Sequence, residues 1–212
     1  MQNETISTII ETITLHFILS LLSLPSARFT GNALTSGATT SNIQGLAIGR
    51  EYVIDAVLHR QGKLAADERW SVAERGLCAG VEVEALVAVP HASIAKAASV
   101  VGIGRANVVD LRSTSRIGCF DLAKLAQRLE ENRGRKGSIV VVSFGEVNTG
   151  AIESGLIEIR RLCDLHDAWL HIDAGTSSPP HATSLTPLHS VRSFRSPSPR
   201  FRAPLLRISA RG

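Results

Sequence analysis

Read along its length, the chain changes its hydrophobic period several times. From residue 4 to 23 the apolar positions Ile6, Ile9, Ile10, Ile13, Phe17 and Leu21 recur at helical spacing, which predicts an amphipathic helix with that stripe as its buried face. Leu24-Pro25-Ser26 ends it, because the residue before a proline is driven out of the helical region. A second helical pattern spans about 42–59 and tolerates Gly45 and Gly49, and glycines there predict another backbone packed closely against the helix. Residues 61–75 are polar and expected at the surface.

From residue 81 onward apolar runs alternate with helical patterns. Residues 81–89 and 106–111 read as strands and 93–101 as a helix, while Cys119-Phe120-Asp121 opens an amphipathic helix to Asn132. Residues 138–144 form a continuous apolar run, 152–166 a helix and 168–173 a further apolar strand. Unbroken Val/Ile strands are buried on both faces, and their alternation with helices predicts an α/β fold around a mostly parallel sheet with flanking helices. Ligands of such sheets gather at the carboxyl ends of the strands. That end holds Asp173 and the turn 145–150, Gly-Glu-Val-Asn-Thr-Gly.

After Ala174 the pattern stops. Residues 175–212 hold six of the eight prolines, eight serines and six arginines, with no Asp, Glu or Lys. Such a segment cannot assemble a packed core and is expected to be disordered. Two domains follow as the expectation: a folded part at 1–174 and a Ser/Pro/Arg-rich tail at 175–212. An abrupt switch inside a strand-end motif also fits translation out of frame or through an unspliced intron.

Composition refines this only slightly. The 212 residues suit one domain, and 44% hydrophobic content with mean hydropathy +0.12 is that of a globular chain. The net charge of +4 comes from the tail: without its six arginines, 17 basic residues face 19 acidic ones. Cys78, Cys119 and Cys163 are odd in number and widely spaced, so they read as free thiols in a reducing compartment, and no zinc-ligand spacing is present. The apolar run at 15–25 is short, contains His16 and follows two Glu, unlike a membrane span or a signal peptide. A cytoplasmic location is the default, with no membrane partner.

Candidate chemistry lies in two stretches. Residues 34–42, Leu-Thr-Ser-Gly-Ala-Thr-Thr-Ser-Asn, are small and hydroxylic and lead into a helix. Small side chains let the backbone approach an anion, and first-turn N–H groups point at the same spot; a plain turn remains the alternative. The second stretch, 168–174, is an apolar strand ending in the carboxylate of Asp173. Together they suggest a cofactor with a phosphate at one end and a basic nitrogen at the other. Taken alone, Asp173 also reads as a turn or helix-capping residue, His91 as a helix N-terminal residue after Pro90, Lys96 as solvent-facing, and Thr40, Ser41 and Asn42 as helix caps.

Four motifs in order, at 34–52, 90–105, 145–150 and 169–174, resemble the group II pyridoxal-phosphate-dependent amino-acid decarboxylases, which include aromatic-amino-acid, glutamate and tyrosine decarboxylases. The resemblance runs from about Thr5 to Ala174 and is closest to fungal members. It implies part of a fold-type I large domain, a homodimer, an amino-acid substrate and pyridoxal 5'-phosphate as cofactor. By resemblance Ala38 and Thr39 bind the phosphate, His91 stacks on the ring and orients the substrate, and Asp173 pairs with the ring nitrogen. His171 shares the strand face of Asp173, and Asn148 and Thr149 line the site, next to Glu146-Val147 where many relatives carry Thr-Thr. The implied reaction is loss of CO2, with the protonated ring as electron sink.

One departure limits that expectation. The family's Schiff-base lysine follows the strand-end Asp, whereas the lysines here are Lys63, Lys96, Lys124 and Lys136, and none follows Asp173. The family's N-terminal arm and C-terminal small domain are not recognised either. The chain therefore reads as a poorly soluble, inactive fragment of a carboxy-lyase. Two other readings stay open: a non-catalytic partner-binding or vestigial paralogue, and an RNA-associated protein led by the Arg/Ser tail.

Overall fold

The computed structural model describes residues 5–21, 24, 26, 29, 31, 33–77, 80–143 and 153–174. Ten elements follow one another: α1 (Ile6–Leu21), α2 (Ala38–Arg60), α3 (Val72–Arg75), β1 (Glu82–Val87), α4 (Ala92–Val100), β2 (Val108–Asp110), α5 (Leu122–Asn132), β3 (Lys136–Ser143), α6 (Leu156–His166) and β4 (Trp169–Asp173). The strands form one sheet in the order β2-β1-β3-β4 with every pairing parallel. The expected α/β architecture is therefore present. The turn 145–150 and the tail 175–212 lie outside the described residues.

Alternation along each strand divides two cores. On one face Val83, Val87, Ile139 and Val141 pack under α2 and α4, against Leu46, Ile54, Val57 and Ile94. On the other, Leu86, Val140, Val142, Leu170 and Ile172 pack under α5 and α6, against Leu125, Leu129, Ile159 and Leu162. Burial on both faces is why these strands read as continuous apolar runs. Side-chain caps set two helix starts: the His91 ring accepts from the Ser93 N–H, and the Asp121 carboxylate accepts from the Lys124 N–H. Helix α6 ends at Asp167, whose backbone is left-handed at φ 54°.

Cys119 and Cys163 are buried and outside any disulfide, and Cys78 lies outside the described residues. Burial pushes the Cys163 thiol up to about 12, so it packs as a small hydrophobe.

Two expectations are corrected. The stripe Ile6, Ile9, Ile10, Ile13, Phe17 and Leu21 of α1 is exposed, and the helix is anchored instead through Leu15 and Leu19. The sheet faces are already covered by the other four long helices, which leaves the stripe no described apolar surface to meet. The surface expectation for 61–75 holds except at Leu64, which joins the α2-side core, with Trp70 packed partly against it.

The amino end of the sheet holds a buried charge cluster. Glu84, 2% exposed, accepts from both Nε and Nη2 of Arg128 at 2.9 and 2.8 Å, from Asn132 Nδ2 at 3.0 Å and from Lys136 Nζ at 3.0 Å. Burial alone raises the pKa of its carboxyl, but the bonds from Asn132, Lys136 and Arg128 outweigh burial and hold it below its ordinary value.

Candidate functional site

At the opposite, carboxyl end, helix α2 begins at Ala38, one turn earlier than its hydrophobic pattern indicates. The loop before it is pinned by hydroxyl pairs: Thr35 Oγ1 lies 2.9 Å from Ser41 Oγ, and Ser36 Oγ lies 3.1 Å from Thr40 Oγ1. Those bonds commit the hydroxyls of Thr35, Ser36, Thr40 and Ser41 to holding the loop on the first turn. Gly37, the residue before the helix, offers no side-chain cap, and a Cβ added there would meet nothing within 4 Å. The result is a 23-residue helix whose start carries no side-chain cap, with the partly buried Ala38 and Thr39 as its first residues. Such an end favours an anion.

Helix α2 then runs over β4 in the opposite direction. On β4 the side chains of Trp169, His171 and Asp173 share one face, and along α2 they meet Gly49, Gly45 and Asn42 in turn. A Cβ at Gly49 would lie 2.6 Å from Trp169 Cδ1, and one at Gly45 would lie 2.4 Å from His171 Cε1. The two glycines thus admit aromatic side chains of β4, not the backbone that their spacing predicted. Asn42, without a glycine's gap, meets its neighbours through hydrogen bonds.

Asn42 is 1% exposed and stands at the centre of a polar cluster. Its Nδ2 donates to Asp173 Oδ2 at 2.9 Å and to Ser93 Oγ at 3.2 Å. Its Oδ1 lies 2.8 Å from His171 Nε2. Ser93 Oγ in turn lies 2.6 Å from His91 Nδ1. Three segments remote in sequence, the start of α2, the start of α4 and the end of β4, meet at this carboxamide. His91 is exposed at the rim and His171 is 8% exposed beneath it.

These contacts place the residues that the sequence singled out. His91, His171 and Asp173 come together through Asn42 and Ser93. Ala38 and Thr39 lie four and three residues before Asn42 on the same helix. Asn148 and Thr149 lie outside the described residues. His91 does cap its helix, so the capping reading of that residue is satisfied alongside its membership of the cluster. Lys96 is exposed. Thr40, Ser41 and Asn42, expected as caps, all lie inside the helix: the hydroxyls of Thr40 and Ser41 pin the preceding loop, and the Asn42 carboxamide bridges to β4 and α4. An Asn one turn before a glycine was the available signal.

The donor set suits an elongated ligand with an anionic end and a cationic end. The uncapped start of α2 matches the anion, the Asp173 carboxylate matches a protonated nitrogen, and His91 supplies an exposed aromatic ring bonded into the same cluster through Ser93. This is the chemistry that pyridoxal 5'-phosphate presents. Among the described residues no helix is long and apolar enough to cross a membrane.

Comparison with known proteins gives a consistent result. A family model described as the pyridoxal-dependent decarboxylase conserved domain matches residues 1–209. The aromatic-L-amino-acid decarboxylase of Sus scrofa is 30% identical over 169 residues, covering 78% of this chain and 33% of that enzyme. The L-2,4-diaminobutyrate decarboxylase of Acinetobacter baumannii is 28% identical over 145 residues, covering 66% of this chain and 27% of its own length. The crystal structure of Oryza sativa TDC with PLP and tryptamine superposes with a TM-score of 0.63 at 20% identity, covering 86% of this chain and 37% of the other. Mouse CSAD gives a TM-score of 0.61 at 19% identity, with 85% and 35% covered. These structural likenesses show the fold. The chain spans about a third of the length of the curated relatives it matches.

Proposed function

The chain belongs to the pyridoxal-dependent decarboxylase family, and we propose that it supplies the cofactor-gripping part of an amino-acid decarboxylase. The supporting observation is the Asn42 cluster, which gathers Asp173, His171 and the His91–Ser93 pair beside an uncapped helix start.

In this reading the first-turn N–H groups at Ala38 and Thr39, with the Thr39 hydroxyl, hold the phosphate. Among the described residues that hydroxyl has no hydrogen-bond partner, unlike its neighbours at 35, 36, 40 and 41. The Asp173 carboxylate pairs with the ring nitrogen and keeps it protonated, since a nearby anion favours the charged form of a base. His91 lies against the ring face, and its N–H meets the carboxylate of the amino-acid substrate. His171 acts through Asn42. Asn148 and Thr149 complete the lining, as the family resemblance implies. When bound, the cofactor's protonated ring accepts the electron pair left by departing CO2.

No lysine follows Asp173 in these 212 residues. We therefore expect the chain by itself to bind the cofactor without a covalent link and to release no CO2 from amino acids. The test is equilibrium dialysis of the 212-residue chain against pyridoxal 5'-phosphate, with pyridoxal and inorganic phosphate as competitors. Saturable binding is expected. Pyridoxal, which lacks the charge-assisted phosphate bonds, should bind about ten- to a hundredfold more weakly. Equal binding of pyridoxal, or no saturable binding, contradicts the reading. Release of CO2 by the isolated chain contradicts its lysine corollary.

A further inference from the structure

The hydrogen bonds around Asn42 have only one self-consistent polarity. The Asp173 carboxylate only accepts, so the carboxamide must turn its NH2 group toward it. That orientation leaves Oδ1 facing His171 Nε2 at 2.8 Å, and a carbonyl oxygen only accepts, so Nε2 of His171 carries a proton. The second Nδ2 hydrogen goes to Ser93 Oγ at 3.2 Å. The hydroxyl hydrogen of Ser93 is then directed at His91 Nδ1, 2.6 Å away, which also accepts from the Ser93 backbone N–H at 3.2 Å. Nδ1 of His91 is thereby an acceptor, and in the neutral ring its proton resides on Nε2.

We propose that Asn42 is a positioning residue that fixes two groups at once, the orientation of the Asp173 carboxylate and the Nε2–H tautomer of His171, and that through Ser93 Oγ it reinforces the Nε2–H tautomer that the Ser93 backbone N–H sets at His91. Every hydrogen bond described at its carboxamide is used for this. The residue is 1% exposed, and its helix is held against β4 by the close approach of Gly45 to His171, so the carboxamide has little room to turn. The consequence for the site is a defined charge pattern. His91 presents an N–H donor at the rim, which matches an acceptor-only ligand such as a substrate carboxylate. The Asp173 carboxylate is oriented by a neutral N–H donor. The catalytic relevance of this pattern rests on the cofactor reading given above; the pattern itself is a property of the chain without ligand.

The test uses the 212-residue chain with 15N-labelled histidine, without cofactor, at a pH where both rings are neutral. In the wild type, NMR should find His91 and His171 each as a single Nε2–H tautomer, with the His171 Nε2–H exchanging slowly with water. Asn42→Ala should speed that exchange by about tenfold or more, the loss of one buried hydrogen bond, and release His171 into mixed tautomers, while His91, still accepting from the Ser93 backbone N–H, stays Nε2–H. Ser93→Ala, which keeps that backbone N–H, should leave both tautomers and the His171 exchange rate unchanged, which a general loosening of packing would not do. An Nδ1–H or mixed tautomer at either ring of the wild type overturns the proposal even if the variants fail to fold, and so does an Asn42→Ala spectrum in which His171 keeps its single tautomer and slow exchange. A parallel titration with pyridoxal 5'-phosphate separates the two ideas. Locked tautomers in a wild-type chain that binds no cofactor overturn the cofactor reading and leave the polarity of the cluster standing; cofactor binding with unlocked tautomers does the reverse.

Discussion

The two ends of the sheet are built from the same parts and do different things. At the amino end Glu84 meets Asn132, and at the carboxyl end Asp173 meets Asn42; each is a carboxylate bonded to a buried asparagine. Glu84 also meets a guanidinium and an ammonium group, so its charge is matched inside the protein. The contacts described around Asp173 and Asn42 come from a carboxamide, a hydroxyl and two imidazoles. A carboxylate bonded by two cations ties helix α5 to the start of β3. In the proposed reading the carboxylate oriented by the Asn42 amide serves an arriving ligand, and this distinction separates the two ends.

The largest effect should come from breaking the structural end. Glu84→Gln takes the buried carboxylate from Arg128 and Lys136, which keep only their exposed partners Glu131 and Glu82. Removing one member of a buried pair costs about 3–5 kcal/mol, and the side chains of the two cations are 33% and 35% exposed, so water reduces this to about 2–3 kcal/mol. Denaturant unfolding would measure it, and the cofactor affinity of the folded fraction should stay within about twofold, well under the tenfold that 1.4 kcal/mol represents. An affinity that falls in step with stability would show that the two ends are not separable.

Next comes the register of α2 on β4. Gly45→Ala forces a methyl group to within 2.4 Å of His171 Cε1, and overpacking of this kind costs about 1–3 kcal/mol. Unlike Glu84→Gln, it should also weaken the cofactor, because the ring it displaces is bonded to Asn42. Gly37→Ala is the contrast: with open space around the added methyl, stability should change by less than about 0.5 kcal/mol. Both are read from unfolding curves recorded with and without cofactor.

A smaller effect separates the ends by pH. The folded Glu84 carboxyl lies below its ordinary value of 4.5, so the unfolded chain binds the proton more readily. The stabilisation is present above pH 4.5 and is lost as pH falls through the lower, folded value. An acid titration of stability should show this loss in the wild type and a shallower slope in Glu84→Gln. Parallel slopes in the two proteins would contradict it.

Much of this architecture can be read from the chain because strand burial leaves a plain mark. The apolar runs at 138–144 and 168–173 read as strands buried on both faces, and β3 and β4 lie there. Helix α2 was harder. Its first turn, Ala-Thr-Thr-Ser, looks like loop because small hydroxylic residues compete with helical hydrogen bonding, so the pattern places the start at Asn42. Moving the start back to Ala38 puts Asn42 inside the helix, on the face that crosses β4. Its role was hidden for that reason: a one-turn error in a boundary converts a buried bridging residue into an apparent cap. Stripe and partner on α1 show the other limit, since periodicity identifies an apolar face and says nothing about what covers it.

Asp173, which like Glu84 is bonded to a buried asparagine, is in the proposed reading the carboxylate that meets the ligand. The direct test is the Kd of pyridoxal 5'-phosphate for Asp173→Asn relative to the wild-type chain. The substitution keeps the shape and removes the charge, so the account predicts a Kd at least about tenfold higher, the loss of one charge-assisted bond, with stability nearly unchanged. A Kd equal to that of the wild type would contradict it and assign Asp173, like Glu84, to the scaffold.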